Sequence, residues 1–339
     1  MNTSETKNNA NRTDAGEKEK IAEEIRQKVR EWEDTLKPTI PRYYRYKWYV
    51  DVAVSVLTLP VIGSVILLFM LLTRLTSKGP IIYSQVRCSK NGKPFKMYKI
   101  RSMVVDAEAG TGAVWAGNQD PRITRIGKIM RKLHIDELPQ IINVWRGEMT
   151  VIGPRPERPE FVEPFIEARE KIFRPEFEEL FAAEGIAKKI NQHLEFARQR
   201  QTGETMLPNK KQTIINGAIG KILHDYAPDY VAGYEHRLSV LPGMTGYAQI
   251  NLPPDSDVRD VRKKLILDLD YINNAGLWFD FKILLGTACK FVRSKSLYQY
   301  LLRLCGICQD PKNSPLAEVI GIESFDETTL TPVPHLPKS

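Results

Sequence analysis

Cysteine and histidine are scarce in this chain. Four cysteines, Cys88, Cys289, Cys305 and Cys308, are spread over 339 residues, too few for a disulfide framework in a chain of this length. Cys305–Gly306–Ile307–Cys308 has the spacing of a redox or half-zinc motif. No second such pair completes it, and the alternative is two small residues at a helix end. The five histidines, His134, His193, His224, His236 and His335, form no metal-like pair. A Walker A loop, a Gly-x-Gly-x-x-Gly turn, His-Glu-x-x-His and Gly-x-Ser-x-Gly are all missing, so no nucleotide-binding, zincin or hydrolase signature is present. Residues 1–20 lack any apolar stretch, so no signal peptide is expected.

What is there is ordinary in amount and uneven in distribution. Apolar residues make up 42% and charged residues 27%, enough for one large domain or two small ones with a sizeable core. The net charge of +8 suits nucleic acid, an anionic membrane surface or a phosphate-rich substrate. Nucleic acid is disfavoured, because the basic residues sit beside membrane-type apolar stretches.

Residues 1–16 are polar and expected to be disordered. From Glu17 to Leu36, Ile21, Ile25, Val29, Trp32 and Leu36 recur at helix spacing, until Pro38 and Pro41 end the pattern. Val52 to Thr73 is an uncharged run of about 22 residues, long enough to cross a bilayer once. Pro60 near its middle favours a kink, with Ser55 and Thr58 able to satisfy freed backbone groups. Both flanks are basic: Arg42, Arg45 and Lys47 before, Arg74 and Lys78 after. The positive-inside rule then places both ends on the cytoplasmic side. A bent, re-entrant helix satisfies both features; a spanning helix and a buried core helix are the alternatives.

Residues 81–86 and 95–100 carry aromatic and β-branched residues around Asn91–Gly92, which predicts a basic β-hairpin with a loop longer than two residues. Residues 122–134 place Ile123, Ile126, Met130 and Leu133 on one face and basic residues over the rest, as a membrane-surface or core-packing helix does. The apolar stretch Leu277–Lys295, with Trp278, Phe279, Phe281 and Phe291, also suits an interface-lying helix. Residues 160–236 read as charged and helical, and the tail from Asp310 as loosely ordered.

Three short segments carry possible chemistry. His134–Gln140 sets Asp136 and Glu137 side by side after a cationic helix. Adjacent carboxylates repel, so a cation or metal would help keep both ionised. An Asp carboxylate can attack phosphorus, and oxygen ligands near phosphate suit Mg²⁺; the plain alternative is a pair of helix N-terminal acids. Gly153–Pro154–Arg155–Pro156–Glu157 stiffens the backbone around a guanidinium able to grip phosphate. Pro242–Gly243–Met244–Thr245–Gly246 is either a turn that lets backbone approach a ligand or simply a tight turn. Asp268–Leu269–Asp270 resembles the acidic motif of nucleotide-sugar glycosyltransferases but falls in a helix-like stretch.

In order along the chain, these segments resemble the bacterial sugar transferases, the monotopic polyprenyl-phosphate phosphoglycosyl transferases. The resemblance is carried by the Pro60-broken apolar segment, Leu75–Pro80, Gln85–Val86–Arg87, Lys99–Ile100–Arg101–Ser102–Met103 and Asp120–Thr124. It continues through Ile135–Gln140, Asn143–Met149, Gly153–Glu157, Pro242–Gly246 and Asp280–Ile283. It is dense over 45–162 and looser over 238–293, and the ordered series is far more specific than any one motif. It implies a mainly helical α+β monotopic membrane protein with a re-entrant helix, interfacial amphipathic helices and a small β-hairpin. The location implied is the cytoplasmic face of the bacterial inner membrane, in contact with its lipid.

The implied chemistry has two steps. Asp136 attacks the β-phosphate of a UDP-sugar, releasing UMP, and polyprenyl (undecaprenyl) phosphate then takes the sugar phosphate from the carboxylate. Glu137, with Asp136, would hold Mg²⁺, while Arg87, Lys99, Arg101, Arg131 and Arg155 fall where the family's cations meet phosphates.

The domains expected are a polar segment with an amphipathic helix (1–40), the membrane helix (45–78), a catalytic core (79–162), a charged helical insertion (163–237), the rest of the catalytic domain (238–300) and a tail (301–339). Only about 45 residues precede the catalytic part, as in the family's short form. The insertion, where the family usually has a short link, reads as a lid, a partner-binding module or a contact in a homo-oligomer. Two rival functions remain at this level: a non-catalytic membrane scaffold for polysaccharide assembly, and a metal-dependent glycosyltransferase using Asp268 and Asp270.

Overall fold

The computed structural model describes residues 33–105, 120–172, 230–253, 258–289 and 295–311, with scattered residues between 23 and 31 and at 107, 314 and 316. The described residues between 23 and 35 are helical (α1), and Val29 and Leu36 of the expected stripe are buried. Ile21, Ile25 and Trp32 lie outside the described residues, as do most of the expected insertion and all of the tail beyond 316. Glu33, on α1, is 3% exposed. Its carboxylate accepts from the Arg169 guanidinium at 2.8–3.1 Å and from the Tyr230 hydroxyl at 2.7 Å. One carboxylate thus fastens the last described helix before residue 173 to the first described residue after 229.

The apolar run forms a single helix, α2 (Lys47–Thr76), about eight residues longer than the uncharged stretch, with Pro60 inside it. Ser55 Oγ donates to the Val52 carbonyl and Thr58 Oγ to those of Val54 and Ser55, so neither hydroxyl turns to the Val56 carbonyl that proline deprives of its usual donor. α2 is the one described helix long and apolar enough to cross a membrane, and only 6% of that window is buried. The residues it does bury are all polar: Lys47, Asp51, Ser55 and Thr73.

These buried residues form a closed knot. Asp280 accepts from the Tyr43 hydroxyl at 2.7 Å, the Tyr271 hydroxyl at 2.8 Å and the Lys47 ammonium. Asp51 pairs with Lys47 at 3.5 Å and accepts from the Thr150 hydroxyl and the Val151 N–H. Further along, Val65, Ile66, Phe69 and Met70 pack on a core of Ile100, Met130 and Ile135.

The expected hairpin is present. β1 (Ile82–Cys88) and β2 (Pro94–Ile100) pair antiparallel, Ile82 opposite Ile100 and Cys88 opposite Pro94. Asn91 and Gly92 take φ of 58° and 72° in the connection, the left-handed conformations that these residue types tolerate best. The basic helix, α3 (Arg125–Lys132), is shorter than expected because the Thr124 hydroxyl caps it by accepting from Gly127 N. Of the apolar face expected, Ile123 and Met130 are buried and Ile126 packs on the same core, whereas Leu133 is exposed beside Ile129. The outer face of α3 therefore mixes apolar and basic groups.

Helix α4 (Ile141–Trp145) leads to β3 (Thr150–Ile152), and α5 spans Pro159–Ile172. After the gap, β4 (Gly243–Thr245) pairs parallel with β3, followed by α6 (Tyr247–Asn251), α7 (Val258–Asn274), α8 (Leu277–Cys289) and α9 (Lys295–Leu304). The main core gathers around α7, where Leu265, Ile266, Leu267, Leu269 and Ile272 are fully buried. On α8, Ile283 points inward while Trp278 and Phe281 stack at 5.4 Å on the exposed face. The sequence alone did not reveal the β3–β4 pair, whose two strands are three residues each. Cys305 and Cys308 flank Gly306, which has φ 64° just past the end of α9. The pair therefore lies at a helix C-terminus.

Candidate active site

Asp136 and Glu137 open a short 3₁₀ helix, Ile135–Gln140. His134 before it has φ 51°, which turns the chain away from α3. Ile135, Pro139 and Gln140 are buried and hold the segment on both sides of the acid pair. With about three residues per turn, neighbouring side chains diverge.

Glu137 faces the hairpin. The Lys99 ammonium donates to its Oε1 at 2.7 Å, and the Arg155 guanidinium stands 3.9 Å from the same oxygen. Burial pushes the Glu137 carboxyl up, but Lys99 and Arg155 together hold it well below the usual range. Asp136 is 6% exposed. Burial, and then the charge on Glu137, raise its carboxyl to about 6, against the opposing pull of Lys99 and Arg131. Lys99 itself is lowered, first by burial and then by the nearby guanidinium of Arg155, with Glu137 opposing. Two adjacent carboxyls thus differ widely in acidity because the cations lie on one side.

Asn143, fully buried, sets this geometry. Its side-chain oxygen accepts from Tyr98 N at 3.2 Å, and its amide donates to the Lys96 carbonyl at 2.8 Å and to Glu148 at 2.7 Å. These bonds fix β2, and so Lys99, against the chain that carries the acids.

Arg155 sits on a loop whose four carbonyls are all held, each by a different residue. Pro154 O accepts from Gly243 N at 2.8 Å, Arg155 O from Arg237 at 3.4 Å, Pro156 O from Arg87 at 3.1 Å and Glu157 O from Cys88 N at 2.9 Å. The glycine-rich turn makes the first of these possible. A Cβ on Gly243 would lie 2.1 Å from Gly153 N, and one on Gly246 would lie 2.2 Å from Gly153 O. The glycines bring backbone against backbone, and what they approach is the Arg155 loop.

The other expected cations divide. Arg87 lines a small open cleft with Lys99, Glu137 and Arg155, and Met244 and Gln249 line it too. Burial, then Arg155, lowers the Arg87 guanidinium to about 10. Arg131 donates to Ser102 Oγ at 3.1 Å and acts on Asp136 through its charge. Arg101 lies elsewhere: its guanidinium donates to the carbonyls of Lys78 at 2.6 Å and Ser77 at 3.1 Å, at the end of α2. The structure therefore brings Arg87, Lys99, Arg155 and Glu137 to one cleft, sets Asp136 buried next to Glu137 in the chain, and gives Arg101 to the helix terminus.

Asp268 and Asp270 lie on α7 and face different partners. Asp268 pairs with Arg237 at 2.8 Å; Asp270 accepts from Ser314 at 3.1 Å and from Gln309 at 3.4 Å. Among the described residues, no group of three or more His, Cys, Asp or Glu converges as a metal site. Asp136 and Glu137 offer two hard oxygen donors, and the raised Asp136 carboxyl marks negative charge short of a counter-ion. That set fits Mg²⁺, which completes its shell with water and phosphate oxygens.

A buried carboxyl beside a cation-lined cleft, on a body that carries an exposed apolar helix, is the setting in which the family match falls. The sequence model of the bacterial sugar transferase family matches residues 42–189 and 219–294, and the chain belongs to that family. A Bacillus subtilis protein provisionally named an undecaprenyl-phosphate N-acetylgalactosaminyl 1-phosphate transferase is 50% identical over 39% of this chain and 73% of its own length. The undecaprenyl-phosphate glucose phosphotransferase of Komagataeibacter xylinus is 32% identical over 73% of this chain. The UDP-glucose:undecaprenyl-phosphate glucose-1-phosphate transferase of Escherichia coli is 30% identical over 73%. The chain spans only 36% and 40% of the lengths of these last two.

Proposed function

We propose that this chain transfers a sugar 1-phosphate from a UDP-sugar to polyprenyl phosphate, in the first membrane step of a bacterial exopolysaccharide or glycoconjugate. The observation that carries this reading is the split acid pair. Glu137 is neutralised by Lys99 and Arg155, while Asp136 keeps an electron-rich carboxylate beside the same cations. A carboxylate Oδ of Asp136 forms a bond to the β-phosphorus, and the bond from that phosphorus to the bridging oxygen breaks. UMP leaves with the bridging oxygen and its electron pair. A phosphate oxygen of the polyprenyl carrier then attacks the aspartyl phosphosugar and displaces the Asp136 carboxylate. Arg155, Lys99 and Arg87 bind the diphosphate and stabilise charge that moves onto the leaving oxygen. Mg²⁺ held by Asp136 and Glu137 would supply further neutralisation of the diphosphate. The names of the relatives point to glucose and N-acetylgalactosamine as donor sugars to test first.

The placing of α2 supports a re-entrant course on the cytoplasmic face of the inner membrane. The protein body grips the helix at Ser55, where Trp145 Nε1 donates to Oγ at 2.6 Å, and again from Val65 to Thr73. The free stretch between is about ten residues, or ~15 Å of helix, half of the ~30 Å that a bilayer's hydrocarbon needs. Leu57 and Val61, 81% and 72% exposed, occupy that stretch.

The test is nucleotide release. Purified protein in nanodiscs receives Mg²⁺, undecaprenyl phosphate and a panel of UDP-sugars. UMP release with one sugar, abolished in Asp136→Asn, is the expected result; UDP as the released nucleotide overturns the proposal.

A further inference from the structure

Arg237 is 4% exposed, lies 82 residues from Arg155 in the chain, and takes no part in the chemistry above. Its guanidinium is fixed from several sides. It pairs with Asp268 at 2.8 Å, donates to the Tyr234 hydroxyl at 3.3 Å and stands over the Tyr234 ring at 5.3 Å. The nitrogen that meets Asp268 also donates to the carbonyl of Arg155 at 3.4 Å and approaches Glu157 at 3.8 Å. Asp268 is 2% exposed and stands on α7, the most deeply buried helix of the core. A rigid path therefore runs from the core, through Asp268 and Arg237, to the backbone of the one residue whose side chain reaches Glu137 from the loop.

We propose that Asp268 and Arg237 are positioning residues for Arg155, setting how deeply its guanidinium enters the cleft. The proposal rests on the reading of Arg155 as a diphosphate ligand. It gives Asp268 a task other than metal binding. The adjacent carbonyls of Pro154 and Pro156 are held by Gly243 and Arg87, so without Arg237 the loop stays in place but loses its restraint at the residue that matters. A displacement on the order of 1 Å is enough to weaken catalysis substantially.

The test is a double-mutant cycle with the full chain in nanodiscs, following UMP release and thermal stability. Asp268→Asn keeps the shape of the side chain and removes its charge. The expected loss in kcat/KM for the UDP-sugar is about tenfold. Added to Arg155→Ala, the same change costs less than about twofold more, because its target is already gone. Arg237→Lys, which retains charge toward Asp268 but loses the planar fork, shows the same dependence on Arg155 and guards against a folding defect in the first variant. Losses that multiply, in either variant, overturn the positioning role and leave the pair as a core ion pair. Full activity in Arg155→Ala, or UDP release by the unmodified protein, overturns the reading of the cleft and this inference with it.

Discussion

Two of the buried charge clusters, around Asp280 and around Asp136, differ in how completely they are answered. Around Asp280, each carboxylate oxygen meets a hydroxyl or ammonium donor, and Asp51 likewise meets Lys47, Thr150 and a backbone N–H. Around Asp136, Lys99 and Arg155 contact Glu137 instead, and burial, then the charge on Glu137, raises the Asp136 carboxyl to about 6. A saturated cluster fixes the start of the apolar helix to the body. An under-compensated carboxylate is one that an added cation would stabilise. Burial of charge alone does not mark a candidate site; a perturbed carboxyl beside a cation-lined cleft does.

The largest expected effect comes from the open cluster. Asp136→Asn should lower UMP release by about 10⁴-fold, as loss of a covalent nucleophile does, with membrane association and melting temperature unchanged. Radiolabelled donor retained on that variant at the level of the unmodified protein would show that the nucleophile lies elsewhere. The closed cluster should give the opposite pattern. Asp280→Ala leaves Lys47 buried with only the longer contact to Asp51 and should cost about 3–5 kcal/mol of stability, read by denaturant unfolding in detergent. The paired change Lys47→Met with Asp280→Leu should recover only part of it, because Asp51 then loses its cation and the Tyr43 and Tyr271 hydroxyls lose their acceptor. Full recovery would mean that the ion pair is energetically separate from the rest of the knot.

Smaller effects sharpen the comparison. Gly243→Ala forces a methyl group onto the backbone of Gly153 and should cost about 1–3 kcal/mol, with KM for the donor rising more than the melting temperature falls. Unchanged KM would separate the glycine clamp from the cleft. In the absence of divalent cations, Asp136 should titrate near pH 6. Because the reactive form is the deprotonated one, donor-dependent labelling should fall about tenfold per pH unit below that point, and Mg²⁺ should move the midpoint lower. A flat profile from pH 5 to 8 would remove the raised carboxyl from the account.

Much of this was legible in the sequence, and the failures share a cause. Asn91–Gly92 signals its hairpin, the apolar run its helix, and the order of short motifs the family to which the chain belongs. These signals are local or lie within one dense stretch of chain. The β3–β4 pair has no periodicity to show, since three residues alternate too briefly and the partners lie about 90 residues apart. Lys47 reads as a flank and Asp280 as part of a motif, and Asp51 falls just outside the apolar run; only the fold makes them one knot. Arg101 stands one strand position pair from Lys99, which invites a shared task. The left-over carbonyls at the end of α2 claim it instead. Asp268 looked like half of an acidic motif because spacing cannot tell which way two residues on a helix face.

Glu33 has a consequence for how such a chain tolerates change. Arg169 and Tyr230 meet the same carboxylate, so two positions far apart in the sequence are held at one point. The entropy of joining two such positions grows only with the logarithm of the length between them. A change in that length therefore need not disturb the fastening at Glu33.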